Sequence, residues 1–321
     1  MGRYILRRLL WAVPVLVGVS IIIFTLVRVI PGDVVLLILG THAEDGALSP
    51  QRADIERLER ELHLDQPLPT QYALWVWDLL RGDLGTSYFS GRPVLAEMLQ
   101  AIPVSAELAL LSLAISTLVA VPLGVLSAVH QDSWVDHVAR LFSIGGLAIP
   151  SFWSATLVIL IPLLLFGWIP PLGYVTFAQD PLKNLLIFLF PAAVEGLHVS
   201  AAPMRMTRAA MLDVLRQDYM RTAWSKGLRE RAVVYRHGLK NALLPVITIM
   251  GNQLGRFLGG LVVMETIFAL PGVGRLALEA INFRDLPLLQ AIVLFYALVF
   301  TVMNLLVDLL YAWFDPRIRY A

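Results

Sequence analysis

Six apolar runs, each about as long as a bilayer-crossing helix, leave this chain very few folds. They fall at residues 9–30, 101–128, 138–167, 184–204, 241–264 and 288–312. A hydrocarbon core of roughly 30 Å takes about 20 helical residues to cross. No water pairs with peptide groups there, so only structures that satisfy their own amides are stable across it. The expected fold class is an all-α polytopic membrane protein with six transmembrane helices. With 58% of residues hydrophobic and 15% charged, the chain has the composition of that class. It has no cysteine, which removes disulfides, thiol catalysis and cysteine metal sites but names no redox compartment.

Charge is segregated along the chain, and that sets an orientation. Residues 205–240 carry nine Lys/Arg against three acids. Arg3, Arg7 and Arg8 precede the first run, and Arg317 and Arg319 follow the last. With six spans all three groups lie on one side, which the positive-inside rule makes cytoplasmic, together with both termini. Residues 31–100 fall on the other side, with eleven acids against five Arg. The loop at 130–137 has no Lys or Arg and casts no vote. The first run is too long for a signal peptide and ends at Ile30-Pro31-Gly32-Asp33 without a small-x-small site, so it is expected to be an uncleaved anchor.

The outer segment has helical signals of its own. Ser49-Pro50 is an N-cap pair, and Ile55, Leu58 and Leu62 form one apolar stripe. Pro67 and Pro69 stop that helix. A second helix, 70–80, carries Tyr72, Trp75 and Trp77, which suits the headgroup level. Residues 82–87 then form a turn. Whether this segment only caps the bundle or also docks an external partner stays open.

Within the spans, Pro122, Pro150 and Pro162 each remove a backbone hydrogen bond and mark kinks. Glu195 and His198 lie in the fourth span, Asn252 and Arg256 in the fifth. A charge near the middle of a membrane helix costs about 2.5–3.5 kcal/mol on insertion scales, so it faces protein or water. Glu195 and Arg256 either pair, fixing how the two spans pack, or line a hydrated translocation path with His198 and Asn252. Gly251, Gly255 and Gly259 repeat at four-residue spacing, which lets another helix approach closely. The stretch 265–275 is too short to span and is expected to dip back at the outer face.

Several chemistries find no support. There is no G-x-x-x-x-G-K-[ST] phosphate loop, no H-E-x-x-H and no Gly-x-Ser-x-Gly. The six His are scattered, which argues against a metal site. The basic island lies between membrane spans, which counts against nucleic acid and allows attraction to anionic lipid. Within the island, Met204, Ala209 and Leu212 carry the fourth span onward. A short helix over 219–225 follows, with Gly227 as its C′ residue.

The residues of that island are specific. Asp218-Tyr-Met-Arg-Thr-Ala-Trp-Ser-Lys-Gly-Leu228, followed by His237-Gly-Leu-Lys-Asn-Ala-Leu-Leu-Pro245, resembles the "EAA" loop of binding-protein-dependent ABC importer permeases. The match is to their dipeptide/oligopeptide/nickel subfamily. The resemblance extends over the chain, through Arg7-Arg8-Leu9, Ile30-Pro31-Gly32-Asp33, Gly82-Asp83-Leu84-Gly85, Glu265-Thr-Ile-Phe268, Pro271-Gly-Val-Gly274, Asp308-Leu-Leu-Tyr311 and Asp315-Pro-Arg317.

The resemblance implies a permease subunit in the cell membrane that does no covalent chemistry. Its methionine-permease-like core would comprise residues 101–321, with the coupling loop at 205–240. Residues 1–100 would be an added span and outer segment. The implied partners are a second homologous permease, two ABC ATPases holding ATP and Mg, and an extracytoplasmic binding protein. This chain itself would hold no cofactor. Short peptides are the implied cargo, with glutathione, nickel and oligosaccharide as alternatives. Asp218, Tyr219, Arg221, Thr222, Ala223, Lys226, Gly227 and Leu228 would form the ATPase-docking helix. Arg221 stands where the general motif has an acid, and Pro245 lies further from Gly227 than that motif's proline. The competing class, an ion-coupled secondary transporter, would show inverted repeats, and none is evident.

Overall fold

A computed structural model describes residues 2–29 and 66–314, with the side chains of 2–9, 29, 258–260, 308 and 310–314 left aside. The expected helix at 49–62, the Ile30-Pro31-Gly32-Asp33 motif, Arg317 and Arg319 lie outside the described residues. The helices, in order, are α1 (Gly2–Val29), α2 (Leu68–Leu80), α3 (Val94–Val129), α4 (Trp134–Ala148), α5 (Ser151–Phe166) and α6 (Pro181–Leu215). There follow α7 (Asp218–Ser225), the single turn α8 (Glu230–Ala232), a π-helical segment (Val233–Leu239), α9 (Lys240–Gly260), α10 (Val262–Ile267), α11 (Val273–Asn282) and α12 (Leu286–Phe314).

Four of these, α1, α3, α6 and α12, are long and apolar enough to cross a membrane alone. The expected single span over 138–167 is instead two helices, α4 and α5, bent by 97°. Pro150 is the cause. A residue before proline is pushed out of the helical region, and Ile149 (ψ 121°) and Pro150 (ψ 137°) are both extended. Counted as one broken span, the pair gives a fifth. α9 has the length of a sixth, with 21 residues, but Asn252, Gln253 and Arg256 keep it outside the group that passes on hydropathy. The expected span 241–264 also breaks before α10.

α3 and α6 pack side by side along most of their length, and small residues set their separation. A Cβ built on Gly196 would lie 2.7 Å from the Ser112 carbonyl, and one on Gly124 2.7 Å from the Met204 carbonyl. The pairs 112/196 and 124/207 advance together, so the two helices run parallel. α4 and α9 run antiparallel to α6, with Ser143 donating to Ala201 O (3.1 Å) and Gln253 to Val199 O (2.9 Å). α12 lies against α9, where Gly251 meets Val307 and Gly255 meets Met303 and Phe300. One pole of the bundle therefore gathers residues 66–93, 167–180 and 261–285, and the other gathers 130–133 and 216–239. The main core between them joins Leu108, Ile187, Phe188, Phe257, Met264 and Phe268.

At the first pole α2 starts at Leu68, not Thr70, because Pro69 in a first turn loses no hydrogen bond. Tyr72 and Trp75 are held against α1. Both rings pack on Phe24 of α1, with centroids 5.2 and 5.6 Å away, and the Tyr72 hydroxyl pairs with Ser20 at 2.8 Å. Trp77 is exposed.

The segment expected to dip back folds as α10, a turn and α11, and a buried carboxyl group holds it. Glu265 accepts from Ser105 Oγ (2.6 Å) and from the Arg275 amide (2.9 Å), while Ser105 Oγ accepts from the Val273 amide (2.8 Å). Glu265 thus ties the start of α11 to α3. Glu265→Ala strands these buried donors, each worth about 1–3 kcal/mol when left unpaired. The expected outcome is a lower thermal unfolding midpoint in detergent, with Glu265→Gln falling less.

Candidate functional site

Two places carry the residues singled out by sequence. The first is the projecting unit at the second pole, built on α7. Its eight residues open with Asp218, an acid suited to the positive end of a helix dipole, although Gln217 makes no side-chain cap. The helix ends at Gly227, whose φ of +72° lies in the left-handed region. Gly227 N donates to Trp224 O at 2.9 Å and Lys226 N to Thr222 O at 3.2 Å, so the last carbonyls are satisfied.

Hydrophobic spacing divides α7 into two faces. Met220 and Ala223 are buried against Val214 and Leu215 at the end of α6 and Val233 of the π-helical segment. Asn241 of α9 donates to the Tyr219 hydroxyl at 2.9 Å. The short helix is therefore fixed to the ends of both α6 and α9. Asp218, Tyr219, Arg221, Thr222, Trp224, Lys226, Gly227 and Leu228 face outward. Of the eight residues expected to dock a partner, only Ala223 is turned inward. Trp224 had not been singled out, and it joins the outward face as an exposed aromatic. Ion pairing does not mask this face: the contact between Arg221 and Asp218 is 3.5 Å and highly exposed.

The second place is a polar level at mid-bundle. Glu195 and His198 are partly buried on α6, and Glu195 lies beside Ser151 at the start of α5, where the broken pair bends. Asn252 and Arg256 are exposed, one turn apart on α9. The Gln253–Val199 contact sets the register of the antiparallel helices, so Arg256 and Glu195 stand at one level. Among the described residues no ion pair within 4.0 Å joins them. Gly251 and Gly255 face α12, and Gly259 lies outside the described side chains.

No group of three or more His, Asp or Glu suited to a metal occurs among the described residues. What the arrangement offers is mechanical. A short helix with an outward polar face sits at one pole, joined by continuous helices to polar groups at the middle of the bundle. Several helices of membrane-crossing length packed into one bundle make this a multi-pass membrane protein.

The chain belongs to the family of binding-protein-dependent transport system inner membrane components. The family model matches residues 120–320, and the model of the N-terminal part of such components matches 1–109. Over 320 residues, covering 100% of both chains, it is 42% identical to a Brucella abortus (strain 2308) protein named as a peptide transport system permease protein. It is 38% identical over 341 residues to the dipeptide transport system permease protein DppB of Alkalihalophilus pseudofirmus, again with both chains fully covered. The glutathione transport system permease protein GsiC of Pectobacterium atrosepticum is 40% identical over 320 residues, with the same coverage. Among solved structures, the inward-facing MetNI methionine ABC transporter matches with a TM-score of 0.54 at 13% identity. That match covers 68% of this chain and 96% of that one, and shows the fold alone. The methionine-permease-like architecture expected from the resemblance is thus found.

Proposed function

We propose that this chain is one of two permease subunits of an ATP-driven importer of di- or oligopeptides. The observation that carries the proposal is α7, whose outward face is free and whose inward face is fixed to two long helices. Two ATPase subunits, which hold ATP and Mg, grip α7 and the turn after it at Asp218, Tyr219, Arg221, Thr222, Lys226, Gly227 and Leu228, while Ala223 anchors the inward face. ATP binding closes the ATPase pair and displaces α7, and the long helices open the path toward the opposite pole. There an extracytoplasmic binding protein releases its cargo, and hydrolysis resets the cycle. The pole bearing α7 is cytoplasmic and holds both termini. Residues 1–100 are an added span and outer segment on a core of 101–321, and α9 serves as a span although its polar residues dilute it.

Peptide cargo is favoured because relatives identical at 38–42% over the whole chain carry that name. Glutathione is the second reading, on the strength of the 40% relative. Glu195, His198, Asn252 and Arg256 line the path. An unpaired acid and an unpaired base at one level suit the two charged ends of a peptide. Glu195→Gln and Arg256→Gln should each raise the half-saturating dipeptide concentration in vesicle uptake several-fold, with ATPase subunits still bound. Unchanged affinity, rate and cargo preference in both variants would remove these residues from the path.

A further inference from the structure

A second feature of the α7 pole lies in no motif. Asp136, in the first turn of α4, is completely buried, and its carboxylate is the meeting point of four elements. Arg208 of α6 grips it with two prongs, Nε to Oδ1 at 2.8 Å and Nη2 to Oδ2 at 2.7 Å. Ser127 Oγ of α3 donates to Oδ1 at 2.5 Å. The Asp132 amide, in the turn between α3 and α4, donates to Oδ2 at 3.0 Å. Arg140, one turn along α4, adds an ion contact at 3.3 Å. Such a charge is stable only when its oxygens are fully engaged, as they are here.

The placement matters more than the pairing. Arg208 stands next to Thr207, whose Cβ would be 2.6 Å from a Cβ built on Gly124, so α3 and α6 touch backbone to side chain at the same level. From there α6 runs seven residues to Leu215, which with Val214 packs on Met220 and Ala223 of α7. In the other direction α4 runs from Asp136 to Ala148, at the break beside Glu195. A push on α7 therefore reaches Arg208 through one continuous helix, and Asp136 is where α3 and α4 are made to follow.

We infer that Asp136 and Arg208 are positioning residues for energy coupling: their buried pair locks the ends of α3, α4 and α6 into one body that carries α7 displacement to the bend between α4 and α5. This rests on the proposed docking of ATPases at α7. Substitution of either residue uncouples the transporter while leaving the ATPases attached.

The experiment uses the complete complex in lipid vesicles with its cognate binding protein. It compares Asp136→Ala, Arg208→Ala, the double alanine variant and Arg208→Lys. The readouts are ATPase co-purification, thermal midpoint, and the stimulation of ATP hydrolysis by binding protein. In the single alanine variants co-purification should persist and stimulation should fall by about tenfold or more. In the double variant neither member of the buried pair is left unpaired, and the part-exposed Arg140 keeps Asp132 at 3.8 Å, so the thermal midpoint should recover toward that of the unsubstituted protein while stimulation stays lost. Arg208→Lys keeps the charge but not the two-pronged grip, and should lose part of the stimulation with an unchanged midpoint. Full stimulation in the double variant, or in Arg208→Lys, would overturn the inference and leave the pair a packing element. Loss of ATPase co-purification in the single variants would overturn it too, by placing the residues in docking. Failure of the docking proposal itself shows separately, as co-purification that survives removal of the exposed α7 side chains.

Discussion

Gly227→Val is expected to reduce ATP-driven uptake by about tenfold or more while membrane insertion continues. The expectation follows from the backbone. Gly227 sits at φ +72°, where a residue with a Cβ pays about 1–2 kcal/mol and a β-branched one fares worst. Space is not the obstacle, because a Cβ there meets nothing within 4 Å. Relief of the strain would unwind the end of α7 and re-aim Lys226 and Leu228, both on the outward face. A loss of about 1.4 kcal/mol in the docking-competent form is a tenfold loss in a binding constant. Gly227→Asn is the matched control, since asparagine visits the left-handed region readily. It should keep most of the uptake. Equal activity of the valine and asparagine variants would show that the turn geometry at 227 does not matter.

The second large effect is on stability. Gly196→Ala should destabilise the protein by about 1–3 kcal/mol, the usual cost of overpacking a filled interior. The new methyl would meet the Ser112 carbonyl at 2.7 Å and the Ile115 Cβ at 2.9 Å, and a carbonyl held in a helix has little room to yield. Gly145→Ala provides the contrast, with nothing within 4 Å of its Cβ. Alanine is favoured over glycine inside a helix by about 1 kcal/mol, so that variant should be neutral or more stable. Thermal unfolding of both in one detergent measures the difference. A Gly196→Ala protein as stable as its parent would mean that α3 and α6 are not held at contact distance there.

Much of this was legible in the sequence, and particular residues show why. Local signals found α7: a short helical stretch over 219–225, a glycine just past its end and basic residues around it. Those features act within a few residues and need no tertiary partner. The bend between α4 and α5 was only half legible. Pro150 marked a kink, yet a continuous apolar run does not say whether a helix bends by a few degrees or by 97°. What decides is packing, here of Gly146 and Ser143 on the 197–201 stretch of α6.

Pairs far apart in sequence were the least legible. Asp136 and Arg208 are 72 residues apart. The one local sign was Ser133 three residues before Asp136, a capping-box spacing that places an acid in a first turn without naming its partner. Glu265 and Ser105 were hidden in the same way, 160 residues apart. Glu195 and Arg256 were seen as a pair by charge and depth. They share a level but not a contact, since contact depends on which faces of α6 and α9 they occupy.

Purification of this chain in mild detergent with all that stays attached, followed by an assay of ATP hydrolysis, decides whether it works as a permease subunit driven by ATPases. The partners are identified by mass, and binding protein and a dipeptide are then added. A second permease and two ATPase subunits should be recovered with it, and hydrolysis should rise when the dipeptide-loaded binding protein is present. Recovery of this chain alone, with no ATPase and with ion-driven flux after reconstitution in liposomes, would contradict that role.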